Sequence, residues 1–245
     1  MQLLINTGGK GTRLYPLTVD LPKPMLPVEG KPVLERLVLW GIEHGITEFV
    51  FLNGFKHEMI EDYFGNGKKW GVSIVHSNEP KPLGSGGPLK YAYDQGLIKG
   101  RSAFIMGDLI CHVDLKKMIT FHEEKNAVLT ILVHKSDHPH DSDLIQIDEN
   151  ARMTSMIKKG TLKEGQPFVN LTNAGLTILE QKVFEYLTDE KFTYEHYVYP
   201  KLVEAGEKVY GYDTDEYIKD MGTPKRLEKV TKYLQDLQDK ELQNK

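Results

Sequence analysis

The sequence predicts an α/β protein: a mixed, mainly parallel sheet with helices on both faces. Two observations carry that prediction. Up to Asp108, apolar runs of strand length alternate with amphipathic stretches of helical period, the rhythm of strand–helix–strand crossovers. Two of the runs then open onto glycine-bearing polar turns, TGGKGTR (7–13) and GD (107–108), at the carboxyl ends where open sheets of this kind bind ligands.

The elements follow in order. LLIN (3–6) is a short β-like run ended by glycines, and PVLERLVLWGIEHG (32–45) has apolar residues at helical spacing and stops at Gly45. EFVFLNG (48–54) reads as a buried strand, HEMIEDYFG (57–65) as a helix and VSIVHS (72–77) as a strand. GGPLKYAYDQGL (86–97) is expected to be a helix closed by Gly100, and SAFIMGD (102–108) a strand ending on an acid. Beyond Asp114 the pattern loosens. DLKKMITFHEEK (114–125) is helical, AVLTILVHK (127–135) is a buried strand, and DLIQIDENARMTSMIKK (143–159) alternates around a DEN turn as an antiparallel hairpin does. NAGLTILE (173–180) is a strand, FTYEHYVYPKLVEAG (192–206) a helix ending in glycine, and VYGYDTDEYIKDMGTP (209–224) strand, turn and strand. Residues 225–245 form a charged amphipathic helix expected to fray at its end. With no repeat, low-complexity tract or linker, the chain is a single domain, 1–245, whose second lobe begins near residue 115 and serves the other half of a ligand.

Composition narrows the function. The 245 residues suffice for a sizeable core, and 40% hydrophobic with 27% charged residues is ordinary globular usage. A formal net charge of -4 offers no bulk attraction to nucleic acid or anionic membrane, so any anion site must be local. The single cysteine, Cys111, excludes an internal disulfide framework and a Cys-rich zinc site, and suits a reducing compartment. The apolar start is too short for a signal peptide and no run reaches membrane-span length, so a cytoplasmic location is expected.

The glycine loop is the first candidate site. A strand running through a glycine loop into a helix points several backbone N–H groups at an anion, and the Arg13 guanidinium adds a planar fork for phosphate oxygens. Two familiar phosphate motifs do not fit. Gly11 interrupts the GK[ST] core of a P-loop, and Leu14 stands where the dinucleotide fingerprint places its third glycine. In LPKPMLP (21–27), prolines on each side hold Lys23 in an extended segment of defined direction.

Together, GGKGTRLYPLTVDLPKPMLPVEGKPVLE (8–35), EPKPLGSGGPLK (79–90), MGD (106–108), NAG (173–175) and KDMGTP (219–224) resemble the successive motifs of the sugar-1-phosphate nucleotidyltransferases, in order, from residue 3 to about residue 230. The resemblance implies a Rossmann-like nucleotide-diphospho-sugar transferase fold, with a nucleotide-binding lobe (1–114), a sugar-phosphate-binding lobe (115–230) and a C-terminal helix (225–245). It implies the substrates too, a nucleoside triphosphate and a sugar 1-phosphate, and Mg²⁺ as cofactor. On that reading Thr7, Gly8, Gly9, Gly11 and Thr12 cradle the nucleotide with Leu83, Gly84 and Ser85, while Arg13 and Lys23 neutralise the α-phosphate and leaving pyrophosphate. Asp108 and Asp220 match the metal-binding acids, Asp108 with a catalytic role. Two polyanions must meet in such a reaction, so cations and hard-oxygen-bound Mg²⁺ carry most of the catalysis. Lys159, Asn173 and Gly175 match the sugar-phosphate contacts. The usual E-K-P element is replaced by MIKKG (156–160), so Lys158 competes with Lys159, and only one of two neighbouring strand residues can face the site.

Other residues stay open. INTGG (5–9) replaces the family's apolar pair with Asn6 and Thr7, so Asn6 either meets a base or sugar edge or bonds local backbone. HKSDHPHDSD (134–143) has no recognised metal spacing and reads as a solvated loop at the rim of the sugar pocket. The aromatics of YEHYVYP (194–200) read as core. Within the family the HPHDSD loop and the EYIKDMGTP ending look most like the heptose-1-phosphate guanylyltransferases and their mannose-1-phosphate relatives. That likeness implies GTP and a manno-configured sugar, against uridylyl or thymidylyl transfer to a hexose 1-phosphate. A non-catalytic nucleotide-sugar sensor and a transferase for a non-sugar phosphate are the rivals from outside that reading. The C-terminal helix packs on the domain or on a second subunit of a homo-oligomer.

Overall fold

Alternation along the strands builds a core on each face of the sheet. In the computed structural model, which describes residues 1–243, strand β1 spans Gln2–Asn6. Its Leu3 and Ile5 join one buried cluster and Leu4 the other, as a period of two requires. A two-stranded hairpin follows, β2 (Pro27–Val28) and β3 (Lys31–Pro32), then α1 (Val33–Glu43), β4 (Glu48–Asn53), α2 (His57–Phe64) and β5 (Ser73–Asn78). In β4 the same alternation sends Phe49 and Phe51 to one face and Val50 and Leu52 to the other. Helix α3 (Gly87–Asp94) leads to β6 (Ser102–Met106), β7 (Leu109–Cys111), α4 (Leu115–Glu124) and β8 (Leu129–Lys135). The hairpin of β9 (Leu144–Ile147) and β10 (Met153–Ile157) precedes β11 (Leu171–Leu179), α5 (Tyr194–Glu204), β12 (Val209–Asp213), β13 (Ile218–Asp220) and α6 (Pro224–Gln243). Helices α1, α2 and α4 cover one face, α3 and α5 the other.

The main sheet runs β10-β9-β11-β6-β1-β4-β5, with β8 also paired to β11 and β12 to β8. Its first half is parallel, β6, β1, β4 and β5 in register. Its second half turns antiparallel at β11, which pairs β6 on one side and β8 on the other. The chain leaves β1 toward β4 and β5, then returns to the opposite side of β1 as β6. Strand order therefore reverses at β1, and the crevice beyond the carboxyl ends of β1 and β6 is the expected ligand position.

Three elements depart from the sequence reading. No α-helix follows the glycine loop: it runs into a 3-10 turn at Thr12–Leu14, where Leu14 plugs the small core beneath α6. Nor is Lys23 held in an extended segment. Turns follow Leu14, and Lys23 opens a second 3-10 turn, Lys23–Met25, whose Met25 and Leu26 N–H groups bond back to the Pro22 and Lys23 carbonyls. Helix α3 closes at Gly96, which takes the left-handed conformation and caps the last turn before Gly100 is reached. The two strands expected in 209–224 form, in different sheets: β12 lies parallel to β8, and β13 pairs antiparallel with β7 in a separate two-stranded sheet. Helix α6 packs on the domain through Val230 and Leu234; residues 244–245 of the expected helix, where fraying would fall, lie outside the described residues. No helix among the described residues is long and apolar enough to cross a membrane.

Candidate functional site

Two clefts meet at Arg13, which lines both. The first, of about 520 Å³, opens beyond β1 and β6. Gly8, Gly9, Gly11 and Thr12 form one wall, Gly84 and Ser85 the facing one, and Lys23 and Asp108 close the floor. Asn6 ties the two loops together: its Nδ2 donates to the Ser85 carbonyl (3.1 Å) and its Oδ1 accepts from the Gly8 N–H (3.2 Å). The side chain that the sequence left open thus bonds the backbone of both loops and also lines the cleft between them. Thr7 lies beneath the loop, fully buried, its hydroxyl donating to Asn53 Oδ1 at 2.7 Å. Asn53 Nδ2 donates in turn to Asn78 Oδ1 (3.0 Å), and Asn78 Nδ2 to Glu61 Oε1 (2.6 Å). A chain of amides across β1, β4 and β5 therefore braces the glycine loop from below.

Phe192 fixes the facing loop. Its N–H donates to the Leu83 carbonyl (3.2 Å), and its own carbonyl accepts from Gly86 N–H (3.2 Å). Gly84 sits at φ +85°, and a Cβ there would collide with the Phe192 carbonyl oxygen. Ser85 Oγ accepts from Tyr194 N–H at 2.9 Å, satisfying one of the orphan donors at the start of α5. Leu83 itself is buried and spends both backbone groups on these braces.

One acid in this cleft was not singled out from the sequence. Glu79 Oε2 accepts the Leu83 N–H at 2.9 Å, and the side chain lines the cleft with Lys191 nearby. Burial raises its carboxyl above the usual range, opposed by the Leu83 N–H and the Lys191 charge. The signal was present, since Glu79 opens the EPKPLGSGG segment, but only the fold shows which way it faces.

The second cleft, of about 570 Å³, lies between β11, β13, the start of α6 and the loop after β8. Asp220, Asn173 and Lys159 line it. Asp220 accepts from Arg226 Nη1 at 2.9 and 3.0 Å and from Gly222 N–H at 2.8 Å. Gly222 lies against both groups: a Cβ there would stand 2.5 Å from Asp220 Oδ1 and 3.2 Å from Arg13 Nη2. Lys159 Nζ pairs with Asp141 at 2.7 Å and, by hydrogen bond and charge, holds that carboxyl below its usual range. Lys159 thus faces the cleft, and Lys158 is exposed beside it. Gly175 sits behind Asn173 in the irregular stretch of β11 and donates its N–H to Asn173 Oδ1 (3.0 Å).

Strand β6 stops at Met106, so Asp108 does not end it but lies in the turn just before β7, while Asp220 ends β13, the antiparallel partner of β7. Asp220 stands opposite Leu109 in the β13–β7 pair, and Met221 N–H donates to the Asp108 carbonyl at 3.1 Å. Their carboxylates line different clefts, each with its own cation: Lys23 on Asp108, Arg226 on Asp220. In the 134–143 loop, Asp143 accepts from the Lys159 N–H (2.8 Å) and meets His196 Nε2 at 2.7 Å. Ser136, Asp137, His138, Asp141 and Ser142 of that loop line the second cleft. Tyr194 and Tyr199 are buried, as core aromatics.

Comparison with known proteins places this geometry. A family model described as Nucleotidyl transferase matches residues 3–236. The chain is 34% identical to D-glycero-alpha-D-manno-heptose 1-phosphate guanylyltransferase from Aneurinibacillus thermoaerophilus, over 96% of this chain and 99% of that one. It is 32% identical to the mannose-1-phosphate guanylyltransferase of Mycobacterium tuberculosis over 90% of its length, spanning 61% of that longer protein. The crystal structure of HddC from Yersinia pseudotuberculosis complexed with GMP-PN superposes with a TM-score of 0.78 at 27% identity, covering 95% of this chain and 99% of that one. With a glycine loop at the switch point and a second cleft joined to it at one arginine, the chain belongs to the nucleotidyl transferase family, enzymes that pass a nucleotidyl group from a nucleoside triphosphate to a sugar 1-phosphate.

Proposed function

We propose that the chain transfers GMP from GTP to a manno-configured sugar 1-phosphate, of the class to which D-glycero-D-manno-heptose 1-phosphate and mannose 1-phosphate belong, releasing pyrophosphate. Glu79 is the observation that carries the base assignment. Guanine presents two adjacent donors, N1–H and the N2 amine, to which a carboxylate is complementary. Uracil and thymine flank their single N–H with carbonyl oxygens that a carboxylate repels. The relatives named for heptose and mannose 1-phosphates support the acceptor.

In the proposed reaction the first cleft takes the nucleotide and the second the acceptor. An oxygen of the acceptor phosphate attacks the α-phosphorus, the bond from that phosphorus to the bridging oxygen of the β-phosphate breaks, and the electron pair leaves with pyrophosphate. The attacking phosphate is already ionised, so no protein base is required. Gly8, Gly9, Gly11 and Thr12 hold the triphosphate while Arg13 and Lys23 offset charge on the α-phosphate and leaving group. Lys159 and Asn173, braced by Gly175, hold the acceptor phosphate. Asp108 and Asp220 would supply carboxylate oxygens to Mg²⁺, each exchanging the cation that it now holds, Lys23 or Arg226, for the ion; both are hard oxygen ligands, and this ion needs few carboxylates beside phosphate and water. Mg²⁺ bound with the triphosphate supplies positive charge where negative charge gathers.

The test is pyrophosphate release for four nucleoside triphosphates against glucose, mannose and heptose 1-phosphates with Mg²⁺. GTP with a manno-configured sugar is the expected best pair. UTP or dTTP with glucose 1-phosphate would keep the mechanism and discard the guanylyl assignment. Nucleotide binding without turnover would leave a sensor.

A further inference from the structure

We infer that the second cleft is built for an acceptor bearing, besides its 1-phosphate, a second acidic group elsewhere on the sugar. The inference rests on the reading of this cleft as the acceptor site. Seven lysine and arginine side chains line it against three aspartates, in a chain whose formal net charge is -4. Three of the cations are committed: Arg226 holds Asp220, Lys159 holds Asp141, and Arg13 closes the wall shared with the nucleotide cleft. The other four, Lys135, Lys219, Lys225 and Lys229, make no ion pair among the described residues.

Against these four stands one aspartate without an ion pair among the described residues, Asp137, so an excess of like charge remains that repels itself, and a ligand that displaces water weakens the screening of that repulsion. A bound anion reverses the sign. The 1-phosphate, with its charge of about two, takes Lys159 from Asp141 and meets Arg13 at the wall shared with the nucleotide phosphates. A neutral sugar then offers only hydroxyls to four ammonium groups. Lys225 and Lys229 stand four residues apart in the first turns of α6 and so share one helix face, a pair of donors suited to one acidic group. On the adjoining wall Lys219 adds its charge beside His134, whose ring burial and that charge together hold below its ordinary value. The imidazole therefore adds little positive charge at neutral pH, and the four lysines remain the anion-seeking groups. Phosphate and carboxylate share the required chemistry.

The experiment measures pyrophosphate release with GTP and Mg²⁺ for mannose 1-phosphate, mannose 1,6-bisphosphate and mannuronate 1-phosphate, with wild type and with the exposed pair Lys225→Ala and Lys229→Ala combined. At least one acidic acceptor is expected to exceed mannose 1-phosphate in kcat/KM by about tenfold or more, and the double variant to bring that ratio near one. Preference for the bisphosphate alone assigns a phosphate, and for mannuronate alone a carboxylate. Equal or poorer use of both acidic acceptors overturns the inference while leaving guanylyl transfer in place. A preference that survives in a folded double variant overturns it as well, as does a variant whose only change is a raised KM for pyrophosphate in the reverse direction. No turnover with any of the three in wild type brings down the parent reading instead.

Discussion

Glu79 joins recognition to stability in one side chain. Burial raises its carboxyl, so the folded chain holds the proton more tightly than the unfolded one. An acid shifted that way lowers stability wherever it is ionised in both states. The penalty is full above the folded pKa and gone below the unfolded value of about 4.3. Glu79→Gln keeps an acceptor for the Leu83 N–H and removes the buried charge. Its melting temperature at pH 7 should rise by about 1–3 °C, while the KM for GTP rises roughly tenfold, because one guanine donor now meets an amide N–H₂. In wild type, kcat/KM for GTP should fall as pH drops through the raised pKa, and the variant should lack that fall. A lower melting temperature with unchanged KM would remove Glu79 from base recognition. Asp108 is the contrasting case, an acid whose partner is the Lys23 cation. Asp108→Asn is expected to lower kcat by two to three orders of magnitude, on the scale of losing a transition-state charge contact, about 3–4 kcal/mol. Circular dichroism should be unchanged. Near-normal turnover at saturating Mg²⁺ would exclude Asp108 from the chemistry.

The elements were legible wherever local pattern and burial agree. β1 and β4 read as strands because both faces are buried, and α1 and α2 because each has one apolar stripe. What the chain does after its glycine loop was not legible. Leu14 is held by contacts with residues far along the chain, Ile110, Met221 and Val230 among them, and no local propensity records those. The partnership of β13 with β7, across some hundred residues, is non-local in the same way. The brace between the 83–87 loop and α5 is a third instance. At Gly84 a positive φ and the Phe192 carbonyl act together, so Gly84→Ala meets both left-handed strain and a collision with main chain. The expected cost is about 2–4 kcal/mol, with a KM increase for GTP larger than any change in kcat, since the loop must pull away from the cleft. Urea unfolding and steady-state kinetics check both. A stability loss without a KM change would separate the loop from nucleotide binding.

At the scale of the whole molecule, the motifs named most of the clefts but not their division. Lys23 with Asp108 and Arg226 with Asp220 are pairs distant or unremarked in sequence, and only the return of β13 onto β7 sets one acid in each cleft. The lobe boundary near residue 115, read from a change of pattern, crosses a continuous sheet: β11 pairs β6 from Leu176 opposite Ile105 to Leu179 opposite Ser102. Both main cores draw on both sides of that seam. Leu3 and Phe49 pack in one cluster with Leu132 and Ile178, and Leu4 and Leu52 in the other with Leu129 and Val209. Neither half can therefore lose its packing without exposing apolar surface of its neighbour, at about 25 cal/mol per Å². Calorimetry should show one unfolding transition with an enthalpy of about 170 kcal/mol, equal to the van't Hoff value. GTP with Mg²⁺ at a hundred times its dissociation constant should move that single peak upward by the equivalent of about 2.7 kcal/mol, without splitting it. Two transitions, of which only one moves with nucleotide, would make the lobes separate folding units and the shared sheet a weak interface.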